Sequence, residues 1–248
     1  MTELQQRRKI LTGLGALGLG SLSLGGCASI DTAALGDILN SGLLSESDAA
    51  KGIRAALSNG VGQAISTVSR DGGFLNDALI HIPLPAALKD VKTALSVIGA
   101  QGLMSDLEVK LNRGAEAAAP IAKDIFLDAV TGLSIADAVG IVRGADNAAT
   151  TYLKDRTTPR LTALFNPIME NALSQTGALQ IFDQMSSQLT SVPFAPQLGA
   201  DARQSLMDHG VKYALGGVFH YIAEEERQIR EDPSKRTSDI LRRVFGHN

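Results

Sequence analysis

The sequence predicts an all-α fold, a single bundle of about eight to ten helices, some kinked, with one short extended connector. Three observations predict it. From Ser45 onward apolar residues recur at spacings of three and four, the period of a helix face. Strand-like alternation is confined to residues 79–84. The 248 residues include no Trp and only 4% aromatics against 44% hydrophobics, so the core must be built of aliphatic side chains. Ala and Gly on the apolar faces let such helices approach closely. No sequence repeat of roughly 33–45 residues is visible, which sets a repeat solenoid aside.

Ser45, with Asp48 three residues later, starts the first helix, and Ile53, Leu57, Val61, Ile65 and Val68 form its face. Asp71-Gly72-Gly73 breaks it. Pro83 and Pro85 forbid a helix interior, so residues 80–85 read as an extended connector. Leu84, Leu88, Val91, Leu95 and Ile98 restart the stripe. Leu103, Leu107 and Leu111 carry a helix toward Pro120, which should end or kink it, and Ile121, Ile125, Ala129 and Leu133 continue beyond. Ser134 and Asp137 start a short helix reaching Val142. Thr158-Pro159 reads as a cap followed by proline in the first helical position, with Leu161, Leu164, Phe165, Ile168 and Leu173 behind it and a kink at Pro167. Leu179, Phe182, Met185 and Leu189 make another helix. The last long one runs from about Ala202 to Ile229, and a small terminal helix holds Ile240, Leu241 and Val244.

Ahead of this domain the chain has a different character. Arg7, Arg8 and Lys9 precede an uncharged, Gly-rich apolar run over 10–26, and Cys27 follows Leu24-Gly25-Gly26. That run is short of the ~20 predominantly apolar residues a spanning helix needs, so it reads as an export signal. Leu24-Gly25-Gly26-Cys27 resembles the lipobox of bacterial lipoproteins, which implies cleavage before Cys27 and acylation of its thiol and new amino terminus. Residues 1–26 are then a removed signal, 27–44 a lipidated tether, and 45–248 the domain. Two or three acyl chains, at about 0.8 kcal/mol per buried methylene, would hold the protein on a bilayer. Arg7-Arg8-Lys9-Ile10-Leu11 also resembles the twin-arginine export motif, with Gln6 and Thr12 as departures; a general secretory signal carrying two Arg fits the same residues. Ala28 after the Cys resembles an outer-membrane address facing the periplasm. In the tether, Leu35, Ile38, Leu39 and Leu43 fall at helical spacing, and Asp31 and Asp37 suit docking on the domain better than lying on a membrane.

Composition narrows the function classes. One Cys excludes an internal disulfide framework and a Cys-based metal site. A net charge of −3 and export argue against nucleic acid. The histidines are His81, His209, His220 and His247, with no HExxH; His220 and Glu224, one helical turn apart, read as a partly exposed bonded pair, and no metal or other cofactor is expected. Glu224, Glu225, Glu226, Arg227 and Arg230 read as a solvated face, with Glu226 and Arg230 in the favourable i, i+4 order. Asn112, Arg113 and Glu116, beside an Ala-rich stretch, read either as a buried structural salt bridge or as the polar floor of a ligand pocket. No GxSxG elbow, P-loop or dinucleotide fingerprint nominates a catalytic residue.

Four ordered blocks carry a family resemblance: Gly73-Phe74-Leu75-Asn76 with 80–85; Leu111-Asn112-Arg113, Ala115-Glu116 and 120–126; 148–152 with Pro167-Ile168; and 222–226 with Ile229-Arg230, Pro233, Arg236-Thr237 and Val244-Phe245-Gly246. Together they resemble the bacterial lipoproteins grouped as domain of unknown function 4197, over nearly the whole domain. The resemblance implies a helical, envelope-anchored domain and supplies no catalytic residue. The expectation is a non-enzymatic binding module whose kinked helices around Pro120 and Pro167 enclose a pocket for a lipid or other apolar ligand. The alternative is a protein–protein scaffold in envelope assembly, marked by an exposed apolar patch; an enzyme is the third reading, marked by polar groups converging in a cleft.

Overall fold

Every described element is helical or a turn. The computed structural model describes residues 45–199, 201–232 and 242. The signal, Cys27, the tether, the terminal helix around Ile240 and His247 lie outside the described residues. Helix α1 is Glu46–Ser69, started by the Ser45 hydroxyl, which accepts the Asp48 amide at 3.1 Å. Its predicted stripe from Ile53 to Val68 is buried throughout. At its end Gly72 takes φ 78°, and a Cβ on Gly73 would lie 2.4 Å from the Val68 carbonyl oxygen, so this turn needs both glycines.

Residues 70–85 then form a strap that drops Phe74, Ile80 and Ile82 into the core. A 3-10 turn, Ala86–Leu88, leads into α2, Lys89–Val97. Next come α3 (Gly102–Thr131), α4 (Ile135–Arg143), α5 (Ala148–Gln175), α6 (Ala178–Leu189) and α7 (Ala202–Glu231). Helix α4 opens with the expected reciprocal cap, the Asp137 amide donating to the Ser134 hydroxyl and the Ser134 amide to the Asp137 carboxylate. Gly177, at φ 84°, turns the chain between α5 and α6.

Seven helices lie among the described residues, against the eight to ten expected of the whole domain with its terminal helix; Pro120, read as an end or a kink, and Pro159, read as a first helical position, both lie inside helices. Pro120 sits within α3, and Pro159 and Pro167 within α5. All three rings are on exposed faces, where the missing N–H bond and the displaced carbonyl can be met by water rather than stranded in the core. Thr158 is accordingly no N-cap. Its hydroxyl donates back to the Lys154 carbonyl at 2.6 Å inside a helix already begun at Ala148.

Helix α3 is the hub, packed on α1, α5, α6 and α7. Small residues set the crossings: a Cβ on Gly114 would lie 2.6 Å from Leu173 Cδ2, and one on Gly217 2.6 Å from Phe74 Cε1. Phe126 and Phe219 meet edge to face at 5.4 Å between α3 and α7. No single described helix is long and apolar enough to cross a membrane; α3 and α4 pass that test only as a pair bent by 100°.

Candidate functional site

Two polar clusters and one groove hold the chemistry of the described residues. The first cluster is the predicted Asn112, Arg113 and Glu116, and it faces the strap rather than a pocket. Glu116 is 5% exposed, and its Oε1 accepts the Phe74 and Leu75 amides at 3.1 and 3.0 Å. Its Oε2 accepts from Arg113 at 2.8 Å, and Arg113 also pairs with Asp71. The bond to Glu116, against slight burial, raises the Arg113 guanidinium above its ordinary value. Asn112, fully buried, accepts the Ile82 amide and donates to the Ile82 carbonyl, both at 2.9 Å, and donates also to the Glu108 carbonyl. It therefore pairs with one strap residue as a neighbouring strand would.

Three further side chains pin the same strap. His81 sets Nε2 at 2.7 Å from Glu108 and Nδ1 at 3.0 Å from the Leu75 carbonyl. His209 Nε2 donates to the Pro83 carbonyl at 2.7 Å. Tyr221 donates to Asp77. Burial pushes the Asp77 carboxyl up, but that bond, the Leu79 and Ile80 amides and nearby His220 together hold it below its ordinary value. The same bond, with burial, raises the Tyr221 phenol.

The second cluster corrects a sequence reading. Glu226 and Arg230 are not on a solvated face but 6% and 4% exposed. Glu226 accepts the Ala149 amide at 2.9 Å and the Thr150 amide and hydroxyl at 2.8 and 2.7 Å, capping the start of α5 from across the bundle. Arg230 donates to Glu226 through Nη2 at 2.9 Å and to the Ile141 carbonyl in the last turn of α4 at 3.0 Å. The neighbouring Glu224 does lie on the surface. It bonds Arg227 at 2.6 Å and Gln228 at 3.0 Å rather than His220, and these two bonds hold its carboxyl below its ordinary value.

A small concavity beside Ile53, Leu57, Ile222 and Glu226 measures about 30 Å³, room for about one water. A larger one, a groove of about 670 Å³, lies between α5 and α7. Lys154, Thr158, Thr162 and Asn166, each one turn apart, form its α5 wall. Val211, Leu215 and Phe219 of α7 form an apolar floor, flanked by Asp208 and Lys212. Asn166 Oδ1 is buried there and accepts no hydrogen bond from the described residues. A Cβ on Gly216 would meet nothing within 4 Å, so the groove stays open at that point. Past Gly216 it adjoins a second concavity of about 390 Å³ beside Leu79, Tyr213 and His220.

A profile for a protein family of unknown function, DUF4197, matches residues 43–246. The chain belongs to that family. No curated protein and no solved structure matches it. In this DUF4197 domain the blocks that carry the family resemblance are those that build the two clamps: the strap, its partners on α3, the start of α5, and Glu226 with Arg230. Sequence reasoning missed the burial of Glu226, and no sequence signal marks it. Asn147, a favoured N-cap residue type, makes no side-chain cap here, which leaves the first amides of α5 to the Glu226 carboxylate. The groove was missed because its two walls are 42 or more residues apart in sequence. Among the described residues no three His, Cys, Asp or Glu gather as a metal site would require.

Proposed function

We propose that this chain is a lipoprotein of the bacterial cell envelope, held by acyl chains on Cys27 at the periplasmic face of the outer membrane. Its domain acts as a non-enzymatic binding module for an amphiphile. The basic start at Arg7 and Arg8, the apolar run and the lipobox-like 24–27 support the address. The α5/α7 groove carries the binding reading. Its volume falls in the range of small-molecule sites, and it pairs an apolar floor with a polar rim. From Lys154 to Asn166 the wall spans about 18 Å at 1.5 Å per residue, long enough to seat an extended acyl chain. Lys154 and Lys212 supply positive charge for an acidic head, while Asp208 is already engaged by Gln204 at 2.8 Å. The ligand lies along this groove, whose α5 wall carries Pro159 and runs on to Pro167.

Gly216→Leu tests this reading. The substitution meets open space, so the fold tolerates it while the side chain fills the groove. The fluorescent fatty acid cis-parinaric acid should bind the native protein, and Gly216→Leu should bind it at least about tenfold more weakly, the loss expected for one displaced apolar contact surface. Equal binding by both proteins, or none by the native one, refutes the groove as the site. A protein partner is the second reading, favoured by Leu79, 76% exposed beside Tyr213 on the adjoining concavity. Site-specific crosslinking from position 79 in cells tests it.

A further inference from the structure

The two concavities bordered by α7 differ in character. The α5/α7 groove has the apolar floor of Val211, Leu215 and Phe219. The second, of about 390 Å³, is bordered by His81, Lys212, Tyr213 and His220 beside Leu79. Lys212 and Gly216 border both. On α7, residues 212, 216 and 220 follow one turn apart and 213 lies two turns before 220, so all four share one side of the helix. Gly216 carries no side chain and a Cβ there would meet nothing within 4 Å, so this side dips between Lys212 and His220. Their Cα atoms are about 12 Å apart at 1.5 Å per residue, a gap their side chains can close around a small group.

Hydrogen bonding around the dip is one-sided. Lys212, the Tyr213 hydroxyl and the His220 ring nitrogens are exposed and bond no other described residue. The two rings make only ring contacts, Tyr213 with His209 at 4.4 Å and His220 with Tyr221 at 5.4 Å. The neighbouring carboxylates, by contrast, are each engaged. Asp77 accepts from Tyr221 and from the Leu79 amide, Glu108 holds His81 at 2.7 Å, Glu224 holds Arg227 at 2.6 Å, and Asp208 accepts from Gln204 at 2.8 Å. An ammonium, a phenol and an imidazole thus line one dip as donors with no protein acceptor to meet them. They suit an anionic group with several acceptor oxygens. A phosphate presents its oxygens in several directions, as donors on separate sides of the dip require, whereas a carboxylate presents two in one plane.

We propose that this second concavity is the head-group subsite of the amphiphile: Lys212, Tyr213 and His220 hold a phosphate-type head, and the acyl chain crosses α7 at Gly216 into the α5/α7 groove. The assignment rests on the groove reading and adds the head chemistry to it. Lys212, bordering both concavities, stands where head and chain join. The protein therefore selects a phosphate-headed amphiphile over a neutral one of the same chain.

Displacement of cis-parinaric acid from the protein tests the head directly. Two competitors share one short acyl chain and are used below their micelle concentrations: a lysophosphatidic acid, and the monoacylglycerol that lacks its phosphate. The native protein should prefer the phosphate-headed competitor by at least about tenfold, the hold of one charge-assisted bond or more. In the double variant Lys212→Gln/His220→Ala, with both changes at exposed positions and helix content checked by circular dichroism, the preference should fall to about twofold or less. The preference is a ratio within one protein, so a loss of chain binding common to both competitors leaves it unmoved. Millimolar inorganic phosphate should leave the native preference in place; phosphate that abolishes it makes this a site for the free anion and overturns the assignment to a lipid head. Equal displacement by the two competitors, or a preference unchanged in the double variant, overturns the head-group subsite while the groove reading stands. A native protein that binds no parinaric acid removes the groove reading, and this subsite with it.

Discussion

Removing the Glu226 carboxylate should unsettle the bundle more than any other single polar change. Glu226 accepts the Ala149 amide, the Thr150 amide and hydroxyl, and Arg230, all within 3.2 Å and all buried. In Glu226→Ala the start of α5 loses its cap, worth about 1 kcal/mol. Arg230, itself 4% exposed, keeps a buried charge without its carboxylate. Breaking a buried pair from one side costs about 3–5 kcal/mol, so the total expected is about 4–6 kcal/mol. That is a large part of the stability of an ordinary domain, so the variant should be partly unfolded at room temperature. Replacing Glu226 by Leu and Arg230 by Met together removes both buried charges, and the double variant Glu226→Leu/Arg230→Met should recover to within about 1–2 kcal/mol of the native protein. Urea denaturation followed by helix circular dichroism measures all the variants. A Glu226→Ala loss below about 1 kcal/mol, or a double variant no more stable than the single, would refute the reasoning.

Other consequences follow from the same contacts. Asn112→Leu should cost about 2–4 kcal/mol, because the Ile82 amide and carbonyl lose their partners in the core, and amide hydrogen exchange should accelerate first in residues 80–82. Gly217→Ala should cost about 1–3 kcal/mol, since its Cβ falls 2.6 Å from the Phe74 ring, whereas Gly216→Ala, one residue away in open space, should stabilise α7 by about 0.5–1 kcal/mol; thermal melts compare the two. The folded Asp77 carboxyl is held below its ordinary 3.8, so its contribution is complete well above that pH and is lost as pH falls through the lowered value. Asp77→Asn should therefore flatten the stability profile below about pH 4 and leave its shape near neutral pH unchanged, as an acid denaturation series would read.

Where a helix announces itself by face and cap together, the sequence was legible. Ser45 with Asp48 and Ser134 with Asp137 both cap as read, the stripes of α1 and α6 are buried, and α7 runs close to the extent read for it. Pro120 and Pro159 misled because a proline's effect depends on the face that carries it, and both turn their rings to solvent inside a continuing helix; through Pro167 the helix continues as read. Asn112, Arg113 and Glu116 stood out as polar residues among small apolar ones, but Asn112 and Glu116 bond backbone groups of the strap some 30 to 42 residues earlier and Arg113 reaches Asp71, which no periodicity encodes. Glu226 and Arg230 carry the same i, i+4 signature as a surface pair; only the packing of α7 against α5 and α4 makes them buried caps.

The groove is the centre of the account, and the content of the native protein tests it most directly. The native protein, purified gently from cells that express the full chain, is taken to native mass spectrometry with lipid extraction, beside Gly216→Leu. The account predicts a stoichiometric amphiphile beyond the chains on Cys27, lost in Gly216→Leu. A native protein that carries nothing, and that takes up no added envelope lipid, would contradict it.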